Sequence, residues 1–374
     1  MAESLQPELA EAKARVDAAD GRAQQAGLFP NPDAIARMES ARFRDPTGEA
    51  EFPVGLSQTV PLGRRLSKAR QAELLEREVR ARGLEVKQRE IRRRVHSAFA
   101  TTLYQEKAYQ AQTEIQQNAE KAAATTRARV EAGDALREDL ARVEMELARA
   151  KVEASRAGSL HQQSLVELAA AIGDAALSVK SLAGTLEAAF EIPTLETLAA
   201  NLPAHPEIAL ADADVRARNA RVDLAKAERI PDVKVDFLYR RLEASKENAF
   251  DVGMSIPLPL FNRNQGRLRE ARAEVAAAEA RSRMTQNELT TRLRQSHLRL
   301  STALANSRTL KTEILAKADT VRRGAEARYA AGDISLADIL PVRRDWAAVQ
   351  LSYLESLREV MHAWAEVRPL SAKN

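Results

Sequence analysis

The chain contains no cysteine, so no disulfide can staple it and no thiolate can hold a metal. Aromatic residues make up only 4%, too few for the large mixed cores of ordinary globular domains. No run of about 18 apolar residues occurs, which excludes a membrane-spanning helix and leaves β-strands as the only spanning structure. Helix breakers are absent from two long stretches: residues 64–132 hold no proline and a single glycine, Gly83, and residues 267–323 hold neither. Catalytic signatures are missing as well. His96, His161, His205, His297 and His362 are scattered, none in an HExxH pair, and there is neither a glycine-rich phosphate loop nor a serine elbow. The residues therefore suggest no catalytic group, no metal-ligand cluster and no cofactor. The first residues, Met1-Ala2-Glu3-Ser4, lack the apolar core of an export signal, which suits a cytosolic chain or an exported one already cleaved.

What is present is charge and small apolar side chains. Charged residues reach 29%, with a net charge of +4. The arginines alternate with glutamates at helical spacing, which reads as a salt-bridged helix surface rather than a nucleic-acid footprint. Leu289, Leu293, Leu298, Leu300 and Leu304 recur every two to five residues and form an apolar stripe. At 1.5 Å per residue, residues 64–132 would reach about 100 Å if unbroken.

The chain is also a duplication. Pro7-Glu8 returns as Pro206-Glu207 and Pro32-Asp33 as Pro231-Asp232, both at an offset of 199. Val54-Gly55, Ser57 and Pro61-Leu62 return as Val252-Gly253, Ser255 and Pro259-Leu260 at an offset of 198. Ala128-Arg129 with Ala132-Gly133-Asp134 returns as Ala327-Arg328 with Ala331-Gly332-Asp333, and Asp139 returns as Asp338. Two copies are too few for a solenoid but suit a pseudo-symmetric subunit. The expected segments are a short helix at 1–28, a β-hairpin at 29–62, a long helical hairpin at 63–172 and a linker at 173–205. The second copy has a short helix at 206–230, a β-hairpin at 231–262 and a helical hairpin at 263–367, before a tail at 368–374.

In the second β segment Val233, Val235, Phe237 and Tyr239 alternate with Lys234, Asp236, Leu238 and Arg240. Phe250, Val252, Met254, Ile256 and Leu258 resume the alternation after a polar loop. The first is less regular, with Ile35 and Met38 breaking step around Arg37. Seven of the 15 aromatics (Phe29, Phe43, Phe52, Phe237, Tyr239, Phe250 and Phe261) lie in these two segments. A lipid-facing band would look like this, and so would a small soluble sheet packed on helices. Four strands cannot close a barrel, and open edges invite pairing; three subunits would supply twelve strands.

Short helix, hairpin, long helix, glycine turn and returning helix, performed twice, resembles the TolC-type family of outer-membrane factors over essentially the whole chain. The segment from Gly253 through Pro259, Leu260, Phe261, Asn262, Asn264 and Gly266 resembles the strand-to-helix passage of its heavy-metal cation (CzcC-like) branch. The resemblance implies a mostly α fold with β: a long helical, coiled-coil-like tunnel in the periplasm and a transmembrane β-barrel completed by trimerisation. It also implies a Gram-negative outer membrane, a periplasmic adaptor and an inner-membrane transporter of the resistance-nodulation-division type as partners, and no cofactor.

On that reading the turns Ala132-Gly133-Asp134 and Ala331-Gly332-Asp333 form the periplasmic mouth and face the adaptor. Asp338 and Asp139 would ring the constriction and favour cations. Tyr329 matches a latch tyrosine, whereas Ser335 stands where some relatives carry a latch arginine, leaving Arg137 or the pair Arg343-Arg344 to hold the gate. Each residue also has a plain structural reading. Asp134 and Asp333 suit helix N-caps, Asp139 and Asp338 first-turn acids, Tyr329 a packing residue, and Pro257 and Pro259 strand ends. Export of small organic toxicants, a soluble coiled-coil scaffold and a periplasmic adaptor are the competing functions. The scaffold requires the strands' apolar face to be covered by the chain's own helices.

Overall fold

The computed structural model describes residues 5–39, 51–179, 182–187, 192–242, 245 and 247–368. Phe43, the middle of the first β segment and the tail beyond Arg368 lie outside the described residues. In chain order the elements are α1 (Pro7–Ala26), β1 (Asp33–Ala36), β2 (Glu51–Val60), α2 (Arg65–Glu131), α3 (Arg137–Ile172) and α4 (Leu195–Asn201). There follow α5 (Pro206–Ala227), β3 (Val233–Leu242), β4 (Glu247–Ser255), α6 (Gln265–Thr309), α7 (Ala316–Ala330) and α8 (Leu336–Val367). The described residues are mostly helical, with one four-stranded sheet.

Helix α2 runs 67 residues without a break, about 100 Å at the standard rise. Its counterpart is not continuous α-helix: six residues, Leu310–Leu315, form a π-helical turn between α6 and α7. No proline or glycine marks the place. Leu310 and Leu315 both pack on the cluster of Leu103, Leu186, Tyr353 and Leu357. Lys311 reaches Glu187 at 2.8 Å. Tertiary contacts, not a local breaker, thus accompany the wider turn.

The chain divides into two compact units, and neither coincides with a sequence repeat. One gathers Ala10–Val86 and Pro206–Gln286. Its sheet has the order β1-β2-β3-β4, antiparallel throughout. The central pairing joins the repeats: β2 and β3 are in register over ten pairs, from Glu51↔Leu242 to Val60↔Val233. β4 ends at Ser255, before Pro257 and Pro259, which have no N–H to give the ladder. The helices of this unit are joined by ion pairs; Glu73 of α2 takes Arg221 of α5 at 2.6 Å and Arg22 of α1 at 3.5 Å.

The other unit gathers Met1–Leu9, Lys87–His205 and Asn287–Asn374. It contains the turns of both helical hairpins and all of their returning helices, and the hairpin registers mirror the duplication. In the first, Arg127 meets Glu144 at 2.5 Å and Glu120 meets Lys151 at 3.9 Å. In the second, Glu326 meets Arg343 at 3.8 Å, and the Arg322 guanidinium lies 4.7 Å from the Trp346 ring centroid. Buried alanines (Ala108, Ala111 and Ala123 of α2; Ala150, Ala154 and Ala157 of α3) allow close helix approach. His362 sits with Nδ1 2.7 Å from Ser97 Oγ and Nε2 3.1 Å from Thr101 Oγ1, and burial lowers its pKa.

Candidate functional site

The sheet is two-faced. Alternation along the strands, carried across the register, puts Val54, Leu56, Val235, Phe237, Phe250, Val252 and Met254 on one side. All seven are exposed; Phe250, Val252 and Met254 retain 66%, 74% and 77% of their accessible surface. Phe250 stacks on Phe237, with centroids 5.9 Å apart, and meets the tilted ring of Tyr239 at 5.6 Å. The opposite side carries Ser57, Asp236, Arg240 and Asp251. Arg240 bridges Asp251 and Glu51, the latter at 2.7 Å. Ser57 Oγ and Asp236 Oδ1 are buried without a hydrogen-bond partner among the described residues. The scaffold alternative requires a covered apolar face, and the exposure of these residues counts against it. Among the described residues, β1 and β4 each have no further neighbour in the sheet order.

The helix turns repeat in detail. Gly133 and Gly332 adopt φ of 82° and 83°. The amide of Asp134 donates to Arg129 O at 2.8 Å, and that of Asp333 to Arg328 O at 2.9 Å, closing the same glycine-centred C-terminal motif twice. This corrects the expectation that Asp134 and Asp333 are N-caps. The next helices begin later, and their N-caps are Leu136 and Ser335. The aspartates instead serve through their backbone amides, at the end of the preceding helix.

Asp139 and Asp338 both stand in the first turn of the following helix, but in different company. The Asp338 carboxylate accepts from Ser335 N at 3.0 Å and Ser335 Oγ at 2.6 Å, completing a capping box. Those bonds lower its pKa. Leu136 offers no equivalent cap, and Asp139 has no side-chain partner among the described residues. Tyr329 packs on the cluster of Ala123, Val143, Leu336 and Ile339, which joins the two turns. Arg343 and Arg344 lie 3.8 Å from Glu326 and Glu146 of their own chain. Ala132, Ala331 and both glycines are exposed. The sequence reading missed the cap role of Ser335, although Ser335-Leu336-Ala337-Asp338 carries the S-x-x-D signal.

The strand-to-helix passage is held by Asn264, at φ 58°. Its side-chain amide donates to Ala225 O at 2.9 Å and Glu228 Oε2 at 3.1 Å, and its backbone N–H to Asn262 Oδ1 at 3.1 Å. Asparagine tolerates this left-handed conformation better than most residues. Pro259, Leu260, Phe261 and Gly266 complete the passage, with Phe261 91% exposed.

Residues 1–174 and 198–372 match the profile of the outer membrane efflux protein family. The chain belongs to that family. The match falls in two segments, one per repeat. This efflux protein is 27% identical to the cobalt-zinc-cadmium resistance protein CzcC of Cupriavidus metallidurans over 357 residues, 95% of this chain and 84% of CzcC. Its fold is that of the outer-membrane channel OprN, with a TM-score of 0.84, 17% identity and coverage of 100% and 88%. A membrane protein from Pseudomonas aeruginosa is similar at TM-score 0.82, with 18% identity and coverage of 100% and 92%. The family places the chain among outer-membrane efflux proteins.

Proposed function

We propose that three copies of this chain form the exit duct of a tripartite efflux pump that passes heavy-metal cations from a periplasmic adaptor and an inner-membrane transporter of the resistance-nodulation-division type to the outside. The two-faced sheet carries this reading. Four strands with an exposed apolar face, a polar opposite face and an open edge at each end suit closure with two further copies into twelve strands, apolar towards lipid and polar towards a water-filled lumen. The helical hairpins then form a periplasmic tunnel, with the turns at Gly133 and Gly332 at its mouth and against the adaptor. The duct conducts passively and uses no cofactor.

Cation cargo is supported by the likeness to CzcC and by the acidic positions Asp139 and Asp338, which would supply rings of carboxylates at the mouth. Tyr329 and Arg137 would contribute to closing it. Electron microscopy of the detergent-purified chain is the first test; a three-fold tube with a detergent belt at the sheet end is expected, and a detergent-free monomer would overturn the duct. Complementation of a metal-sensitive deletion strain tests cargo. Restored tolerance to cobalt, zinc or cadmium is expected; restored tolerance to organic toxicants alone would transfer the cargo to them.

A further inference from the structure

Around the strand-to-helix passage lies an open groove of about 690 Å³ whose lining includes Arg229, Arg263, Arg269 and Arg272 together with Leu260 and Phe261. None of these four guanidinium groups has a carboxylate partner among the described residues. Other arginines of the same unit are matched, among them Arg65 with Asp232 at 2.6 Å, Arg221 with Glu73 at 2.6 Å and Arg281 with Asp214 at 3.1 Å. Arg37, Arg64, Arg70 and Arg283 also lack a carboxylate partner among the described residues, but they do not line this groove. The nearby carboxylate of Glu228 is already taken by Asn264 and by Arg267 at 3.5 Å. Four uncompensated cations around one groove repel each other unless an anion joins them. The groove also opens at the start of α6, whose first peptide N–H groups add positive potential. Its apolar wall continues the chain of exposed residues that runs from Met254 through Ile256 and Leu258 to Leu260 and Phe261.

We propose that this groove binds the headgroup phosphate of an anionic glycerophospholipid at the helix-side edge of the barrel, with Leu260 and Phe261 against its acyl chains. The inference rests on the duct reading above, which puts the sheet in lipid and α6 outside it. Cations at the headgroup level beside apolar side chains match an amphipathic anion: arginine pairs with phosphate through two parallel N–H donors, and leucine and phenylalanine lie in the acyl boundary. A soluble anion would satisfy the arginines but would leave the apolar wall in water.

The test titrates the full chain in mild detergent with phosphatidylglycerol or phosphatidylethanolamine and counts retained lipid by native mass spectrometry. Phosphatidylglycerol is expected to be retained preferentially. Replacing Arg263, Arg269 and Arg272 together by glutamine should lower that preference by on the order of a hundredfold, since each basic residue at an anionic surface contributes roughly fivefold. The triple lysine variant should keep most of it. Equal retention of the two lipids, or a preference unchanged in the glutamine variant, would overturn the proposal. Full displacement of phosphatidylglycerol by inorganic phosphate would do so too, by assigning the groove to a free anion. Loss of the trimer in the glutamine variant with lipid preference intact would give the arginines to the contact between copies instead. Insertion into phosphatidylethanolamine vesicles is measured alongside: a wild-type chain that inserts yet shows no lipid preference sinks this inference alone, whereas one that does not insert sinks the duct reading with it.

Discussion

Glu8 shows how a single surface residue becomes a pH-dependent tie. Arg94 and Lys87 donate to its carboxylate at 2.7 and 2.8 Å. Those bonds, Arg94's first, hold its pKa at about 2, against an ordinary 4.5. The folded pKa is depressed, so the stabilisation is complete above 4.5 and disappears as pH falls towards 2. Glu8→Gln should therefore lower the thermal midpoint at pH 7 modestly, since the groups are partly exposed. The gap from wild type should close between pH 4.5 and about 2 in a calorimetric pH series; a gap independent of pH would show that the pair contributes nothing. Gly332 makes a conformational rather than an electrostatic demand. A Cβ there would meet nothing within 4 Å, but φ is +83°, a region that costs an L-residue roughly 1–2 kcal/mol. Gly332→Ala and Gly133→Ala should each cost about that much in denaturant unfolding.

The capping difference between the two turns belongs to the scale of elements. α8 begins with a complete box at Ser335 and Asp338, whereas α3 begins at Leu136 with none. Ser335→Ala should destabilise by about 1 kcal/mol. Leu136→Ser would place the same S-x-x-D pattern ahead of Asp139, and Leu136 is 66% exposed, so little burial is lost. An increase of similar size is expected, read from the denaturation midpoint; no gain would mean that Asp139 does not swing back to the cap. The same asymmetry bears on the proposed gate. Asp338 is engaged in holding α8, so its replacement loosens a helix as well as removing charge. Asp139→Asn removes charge without touching a cap, and is the cleaner test of cation preference in single-channel conductance.

For the whole molecule, the faces of the sheet make opposite demands. Val252 is 74% exposed on the apolar face. If that face meets lipid, Val252→Arg should cost roughly 2–4 kcal/mol near the membrane midplane and deplete the protein from the outer-membrane fraction. Leu238, on the other face and paired with Gly55 and Asp251, should accept serine with little effect on insertion. Equal tolerance at both positions would argue that neither face contacts lipid. The division into units matters at this scale too. The sheet and the helical hairpins each draw on both repeats, so a chain cut between the repeats would leave β2 without β3 and break the ten-pair central register.

Much of this is legible in the sequence alone, because it depends on near neighbours in the chain. Alternation from Val233 to Tyr239 and again from Phe250 to Met254 marks strands, the glycine-poor stretches mark long helices, and Gly133 and Gly332 mark reversals. The 199-residue offset reappears as two hairpins of matching register. What tertiary structure decided was everything set by distant groups. The π turn at Leu310–Leu315 has no breaker in the sequence and accompanies packing against Leu186 and Tyr353. The start of α3 at Leu136 rather than Asp134 follows from the glycine motif spending the aspartate's amide on the previous helix. Which repeat pairs with which, and which arginines lack a carboxylate among the described residues, depend on contacts between residues distant in the chain, such as Glu51 and Leu242 in the central register. Periodicity reports the faces of an element, but only the assembled chain determines what each face meets.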